Sequence, residues 1–178
     1  MLEDSQFPLL QVGAELAARR FAERETSLII SQALDSAANT VSGGSAISIA
    51  NITRAIQYLE DSDFTATDFI VGAEVVNDLR NIDTFAEADK FGSPEMLQKG
   101  LVGGVYGMRV WRASTNAGMT TTSAYVIDRR HAYALVEKRP LTVEAHALPT
   151  HDAEGLVLTW RFRAAALRTA ATAKITTS

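Results

Sequence analysis

The sequence has no cysteine, which removes disulfide staples, thiolate metal sites and a cysteine nucleophile together. It also lacks an apolar run near the roughly 20 residues that cross a bilayer. Its acidic start, Met1-Leu2-Glu3-Asp4-Ser5, does not show the charged-then-apolar pattern of an export signal. A basic excess is missing too: the formal charge is −4, with both signs spread along 178 residues. A free nucleic-acid-binding domain carries a basic patch or surplus, so a protein of this charge that sits near nucleic acid encloses it rather than grips it. Internal repeats and low-complexity segments are absent as well. What remains is an ordinary globular composition, 47% hydrophobic and 21% charged. It suffices for one compact unit or for two small lobes sharing strands.

Over residues 8–38 the spacing predicts one long helix. Pro8 suits a first turn, where a missing N–H has no partner to lose. Leu10, Ala14, Ala17, Phe21 and Leu28 form an apolar stripe. Arg19, Arg20, Glu23 and Arg24 lie opposite, with Glu15 four residues before Arg19 for an ion pair. About 30 helical residues make a rod of roughly 45 Å. Ser42-Gly43-Gly44-Ser45 marks a loop over 39–46. Ser48 is placed to cap a second helix to about residue 61, with Ile49, Ile52, Ile56 and Leu59 on one face. Residues 68–72 read as a short buried strand. Residues 73–80 read as a short helix with Val75, Val76 and Leu79 turned inward.

Residues 81–100 read as irregular, with room for a helical turn at 94–98. Residues 101–112 approach a strand at 108–111 through Gly103, Gly104 and Gly107. A polar loop is expected at 114–123 and a strand at 124–127. Arg129-Arg130-His131 then make a tight connection into 132–136. In the last third Leu141, Val143, Ala145 and Ala147 alternate with Thr142, Glu144 and His146. Beyond a turn at 149–155, Leu158, Trp160, Phe162 and Ala164 alternate with Thr159, Arg161 and Arg163. This is the pattern of a long antiparallel hairpin, and 169–177 can add a strand. The two elongated elements lie at opposite ends of the sequence. They bury each other's apolar faces only if the middle loops out as a separate lobe.

The search for chemistry is unproductive. His131, His146 and His151 are the only histidines; His146, His151 and Asp152 do not make the tight ligand set zinc requires and read as solvated surface residues. Gly43-Gly44-Ser45 lacks the following glycine of a nucleophile elbow. Gly103-Gly104-Val105-Tyr106-Gly107 does not have phosphate-loop spacing. Glu60, Asp61, Asp63 and Asp68 lack the order of a calcium loop and read as a solvated acidic turn. Arg129 and Arg130 suit phosphate, a neighbouring subunit or solvent. Arg161 and Arg163 share a strand face and are placed to pair with Glu144 across the hairpin, or with another subunit. No acid–base pair emerges, so no enzyme activity, cofactor or metal is expected.

From Thr67 onward the chain resembles the tailed-bacteriophage major capsid protein family of the Hong Kong 97 type. The stretch from Asp68 through Gly72 to Arg80 is similar to that family's strand-then-helix lead into its axial domain. The passage from Gly100 through Gly103, Gly104 and Gly107 to Val110, Trp111 and Ser114 resembles its glycine-spaced segment. Tyr125-Val126-Ile127, Arg139, Trp160-Arg161-Phe162 and the run from Ala171 to Ile175 look like its closing long strands. The helix over 8–38 looks like its spine helix.

The resemblance implies an α+β fold in which a spine helix lies on a long hairpin as a peripheral domain, 1–40 and 134–168. A mixed α/β axial domain would comprise 41–133 and 169–178. It implies a structural, shell-forming subunit of a tailed virus or prophage, assembled in the host cytoplasm and residing in the virion capsid. Copies would gather as pentamers and hexamers around the axial tip, with the loops 83–100 and 114–123 as candidates for that tip. The icosahedral head would enclose double-stranded DNA without sequence-specific binding, with no membrane and no small-molecule substrate. Candidate subunit-contact residues are then Arg19, Arg20, Arg24, Asp89, Lys90, Phe91, Asn116, Met119, Arg161 and Arg163. The family carries an N-terminal arm and an extended β-hairpin loop before the spine helix. This sequence starts almost at the helix and matches neither. Two competing readings are an encapsulin-type nanocompartment shell enclosing cargo proteins, and a small α+β enzyme or ligand-binding domain with a deep pocket of convergent polar groups.

Overall fold

The computed structural model describes residues 9–82, 101–148 and 153–177. It opens with helix α1 (Leu9–Gln32), a 3-10 turn (Leu34–Ser36) and strand β1 (Asn39–Gly44). Then come α2 (Ile49–Glu60), β2 (Asp68–Val71) and α3 (Ala73–Arg80). The remaining strands are β3 (Leu101–Val105), β4 (Met108–Arg112), β5 (Ser123–Ile127), β6 (Tyr133–Leu148), β7 (Ala153–Ala166) and β8 (Thr172–Thr177). The predicted helical turn at 94–98, residues 83–100 of the irregular run expected over 81–100, residues 149–152 of the turn expected over 149–155, and Pro8 lie outside the described residues.

Six strands form one mixed sheet in the order β1-β8-β5-β2-β4-β3, and β6 and β7 form a separate two-stranded ribbon. β2 separates the two faces of the sheet, because successive side chains point to opposite sides. Phe69 and Val71 join Ile52, Ala55 and Leu59 of α2 and Val75, Val76 and Leu79 of α3 in the main core. On the other face Tyr125 and Ile127 meet Ile30 and Leu34, with Ile70 packed against them.

Local chemistry explains several boundaries. Ser48 caps α2, its side chain accepting the Asn51 N–H. α3 starts at Gly72, which has no side chain to cap with; the Thr121 carbonyl instead accepts the N–H groups of Glu74 and Val75 at 3.2 and 3.4 Å. A Cβ on Gly72 would lie 2.3 Å from the Thr120 oxygen and 2.4 Å from the Thr121 oxygen, so only glycine admits this approach. β3 and β4 are joined by Tyr106-Gly107, both at positive φ (49° and 79°), the geometry of a two-residue hairpin turn that follows strand twist.

Five expectations are corrected. The helix expected over 8–38 ends at Gln32 and gives way to a 3-10 turn at Leu34–Ser36, and residues 153–155, expected within a turn, begin β7. Residues 39–44 are a strand parallel to β8, not a loop. Residues 101–105 pair with β4 as a second strand, where only a glycine-rich approach was expected. The segments 132–136 and 141–147 are one strand that runs through Pro140. The register slips twice there, between Glu137 and Arg139 and between Arg139 and Thr142. Pro140 falls where pairing lapses, so its missing N–H forfeits no ladder bond.

The ribbon is an excursion between two neighbouring strands. β5 pairs antiparallel with β8, and the chain leaves the sheet at Asp128 and returns at Arg168. The exit and return are tied by the Leu167 N–H to the Ala132 carbonyl at 3.0 Å.

Candidate functional site

α1 lies along the ribbon, as the sequence pattern requires. Phe21 meets Trp160 edge to face at 6.3 Å, and Trp160 stacks on Phe162 at 3.8 Å. The Trp160 indole N–H donates to Glu137 across the strands. α1 holds 24 residues, about 36 Å. β6 holds 16 residues, about 50 Å. A compact sphere of 178 residues is only about 40 Å across, so the ribbon alone exceeds it and the molecule is elongated.

A two-stranded ribbon is marginal by itself in water, and this one is incompletely covered. Among the described residues ten large hydrophobics are exposed. Eight of them belong to α1, the ribbon or the residue just after it: Val12, Leu16, Leu135, Val136, Leu141, Val143, Val157 and Leu167. Val12 and Leu16 stand one helical turn apart on the first half of α1, 45% and 59% exposed. Those of the ribbon fall on both its faces, Val136 and Val157 on the one turned away from α1 and Leu135 and Val143 on the other, and exposed apolar side chains of this kind are what protein–protein contacts cover. This exposed lobe, rather than any cleft, is the candidate site.

Polar clusters fix how the lobe joins the sheet. Asp35, just after α1, accepts from the Tyr125 hydroxyl at 2.6 Å and from Lys174 at 2.7 Å. Partial burial alone raises the Asp35 pKa, but the bonds from Lys174 and Tyr125 outweigh it and the net shift is downward. Burial, then the Asp35 bond, pushes the Tyr125 hydroxyl well above the ordinary phenol range. At the turn into the ribbon, His131 Nδ1 lies 2.8 Å from Asp128 and its ring contacts Phe64 at 5.5 Å. Burial works to raise the Asp128 pKa; bonds from His131 and the Arg130 N–H overcome it and lower it.

Between α1 and the sheet lies an open cleft of about 330 Å³, lined by Thr26, Asp68, Ile70, Trp111, Ile127 and Tyr133 among others. Its walls are mostly apolar. Its one carboxylate is already occupied: Asp68 accepts from the Trp111 indole at 2.8 Å, Thr67 Oγ1 at 2.8 Å and Arg109 at 3.0 Å. That group is a strut holding β2 to β4. Among the described residues no three His, Asp or Glu side chains converge as metal ligands, and no helix is long and apolar enough to cross a membrane.

The candidate contact residues are dispersed. Arg19 and Arg20 both bond Glu23, at 3.3 and 2.9 Å, and Arg24 is exposed on the same helix. Arg161 and Arg163 are exposed on the ribbon face turned away from α1. The expected pairing with Glu144 does not form: Glu144 stands opposite Val157, four residues and about 13 Å from Arg161. Arg161 faces Arg139 instead. Asn116 is exposed in a 3-10 turn whose Ser114 hydroxyl accepts its N–H. Met119 is 2% exposed and packs in the core with Ile30 and Tyr125, so its side chain is not free to touch a neighbour. Asp89, Lys90 and Phe91 lie outside the described residues, as do His151 and Asp152. The exposed residues Val12, Leu16, Val136 and Val157 were not singled out from sequence, because a pattern of apolar spacing does not say which face remains uncovered.

No family profile and no curated protein matches this sequence. Solved structures do. A structure from Mycobacterium phage Che8 gives a TM-score of 0.69 at 19% identity, over 96% of this chain and 63% of that one. An encapsulin complex from Synechococcus elongatus gives 0.71 at 14%, over 98% and 68%. The mature capsid of bacteriophage PhiM1 gives 0.62 at 16%, over 98% and 66%. The chain thus spans about two thirds of the length of these solved chains.

Proposed function

From the premise that this chain has the Hong Kong 97-type fold of tailed-phage major capsid proteins, we propose that it is a structural subunit of a closed shell. It is the head-forming protein of a tailed virus or prophage. In this reading the peripheral lobe comprises 1–40 and 134–168, and the axial lobe 41–133 and 169–178. Copies gather as pentamers and hexamers with the loop 114–123 toward the capsomer centre. The shell encloses double-stranded DNA without reading its sequence, is assembled in the host cytoplasm, and works without catalysis, cofactor, membrane or small substrate.

The observation that carries this reading is the uncovered apolar surface concentrated on α1 and the ribbon. Symmetric repetition of such patches makes weak contacts collectively strong. Electron microscopy and sedimentation of the purified protein test it. Rings or closed particles are expected; a strictly monomeric protein at all concentrations overturns it.

A second reading, a nanocompartment shell around protein cargo, fits the fold equally, since the encapsulin complex at a TM-score of 0.71 and Mycobacterium phage Bobi at 0.72 match it alike. Particle contents separate the two: nuclease-protected DNA supports the head, and a stoichiometric co-purifying protein supports the compartment.

A further inference from the structure

Three arginines line the ribbon face turned away from α1. Arg139 stands directly across from Arg161, and Arg163 follows two residues on, opposite Val136. All three are exposed, and none belongs to an ion pair among the described residues. Like charges directly opposed across two strands destabilise the pair, and this ribbon has little stability to spare. Val136 and Val157 on the same face are 61% and 44% exposed. The carboxylate on that face, Glu144 opposite Val157, is about 13 Å from Arg161, so the basic row is left to be met by an anion from outside the ribbon.

We propose that this row docks the acidic turn Glu60, Asp61 and Asp63 of a second copy of the chain. The proposal rests on the shell reading above and names one of its contacts. The turn closes α2, its three carboxylates are exposed, and none has a cationic partner among the described residues. It is the one place among those residues where three unpaired carboxylates fall within four positions, so the two surfaces match in charge and in number. The turn is rigidly placed, because Phe64 just after it packs on His131 at the base of the ribbon. Arg163, the nearest of the three, stands opposite Val136, five residues beyond His131 and about 17 Å along an extended strand, and Arg139 lies farther out, so a chain's own turn and row are too far apart to pair. Contact between different patches on two copies is head-to-tail, the kind that closes into rings.

The test uses sedimentation velocity of the full chain with two reversed variants, Arg161→Glu/Arg163→Glu and Glu60→Lys/Asp61→Lys. Thermal unfolding near the wild-type temperature certifies that each folds. Arg161→Gln/Arg163→Gln provides a milder variant should the reversal fail to fold, and it is expected to weaken association less. Each reversed variant alone is expected to self-associate at least about tenfold more weakly than wild type. A mixture of the two is expected to recover association. About 1 M salt, where the screening length falls to about 3 Å, is expected to erase the difference.

Variants that associate like wild type, or a mixture that fails to recover, overturn this contact and leave the shell reading standing. A wild-type chain that never associates overturns both. Variants that assemble normally but no longer retain duplex DNA identify nucleic acid as the occupant of the row, and also overturn the contact.

Discussion

Replacing Gly72 with alanine adds one methyl group where the backbone leaves no room for it. That carbon would lie 2.3 Å from the Thr120 oxygen, 2.4 Å from the Thr121 oxygen and 2.7 Å from the Thr121 carbonyl carbon. All three are backbone atoms, so no side chain can swing aside. The loop must retreat, and in doing so it withdraws the Thr121 carbonyl from the N–H groups of Glu74 and Val75. Overpacking of this kind costs about 1–3 kcal/mol, and two weakened hydrogen bonds add about 1–2 kcal/mol. The lower flexibility of unfolded alanine offsets about 0.4–1 kcal/mol. A net loss near 3 kcal/mol lowers the unfolding temperature of a chain this size by about 6–12 °C. Gly104→Ala is the control, since its Cβ meets only the Met108 oxygen at an ordinary 3.7 Å; its cost is expected to stay under about 1 kcal/mol. Calorimetry measures both variants, and hydrogen exchange over 114–123 is expected to quicken in Gly72→Ala alone. If Gly72→Ala melts within about 2 °C of wild type, the close approach does not exist as described and the reasoning fails.

Trp160→Ala removes the edge-to-face contact with Phe21 and the stack on Phe162. It is expected to cost about 3 kcal/mol and to speed proteolysis within the ribbon before the sheet, as seen by mass spectrometry of the fragments. Val12→Ser/Leu16→Ser, on the uncovered half of α1, is expected to leave unfolding within about 0.5 kcal/mol of wild type while abolishing particles in electron micrographs. The Asp35–Tyr125–Lys174 cluster shapes stability against pH at both ends. Asp35 has a lowered folded pKa, so its contribution is present above the unfolded carboxylate value and is lost as pH falls through the folded one. Tyr125 has a raised pKa, so its contribution is full below the unfolded phenol value near 10 and is lost as pH rises beyond it. Tyr125→Phe is expected to flatten the alkaline limb of a urea-denaturation series; an unchanged limb refutes the assignment.

Legibility in the sequence followed self-sufficiency. α3 was readable to the residue because Val75, Val76 and Leu79 carry its own period, and Ser48 announced α2 with its cap. β1 was not: within Asn39–Gly44 only Val41 is buried, and the segment is a strand because β8 offers it a partner, a long-range condition that local propensity does not carry. The β3–β4 hairpin was hidden because Tyr106 fills a positive-φ turn position that usually holds asparagine, aspartate or glycine. β6 is a single strand although Pro140 lies within it, because bulges accommodate a proline that would ordinarily end a strand. Those bulges also set the register, so the arginines were visible from sequence while the confrontation of Arg139 with Arg161 was not. Met119 looked like a loop-tip contact because its neighbours are polar; its burial depends on α1 passing overhead.

Because the ribbon issues from one strand and returns to the next, its length is a free parameter of the architecture. Adding one residue to each side extends its reach by about 3.3 Å and leaves the β5–β8 ladder untouched. Insertions made in matched twos would keep the inward and outward alternation of every side chain. The reach of the arm can therefore change while the hub stays the same.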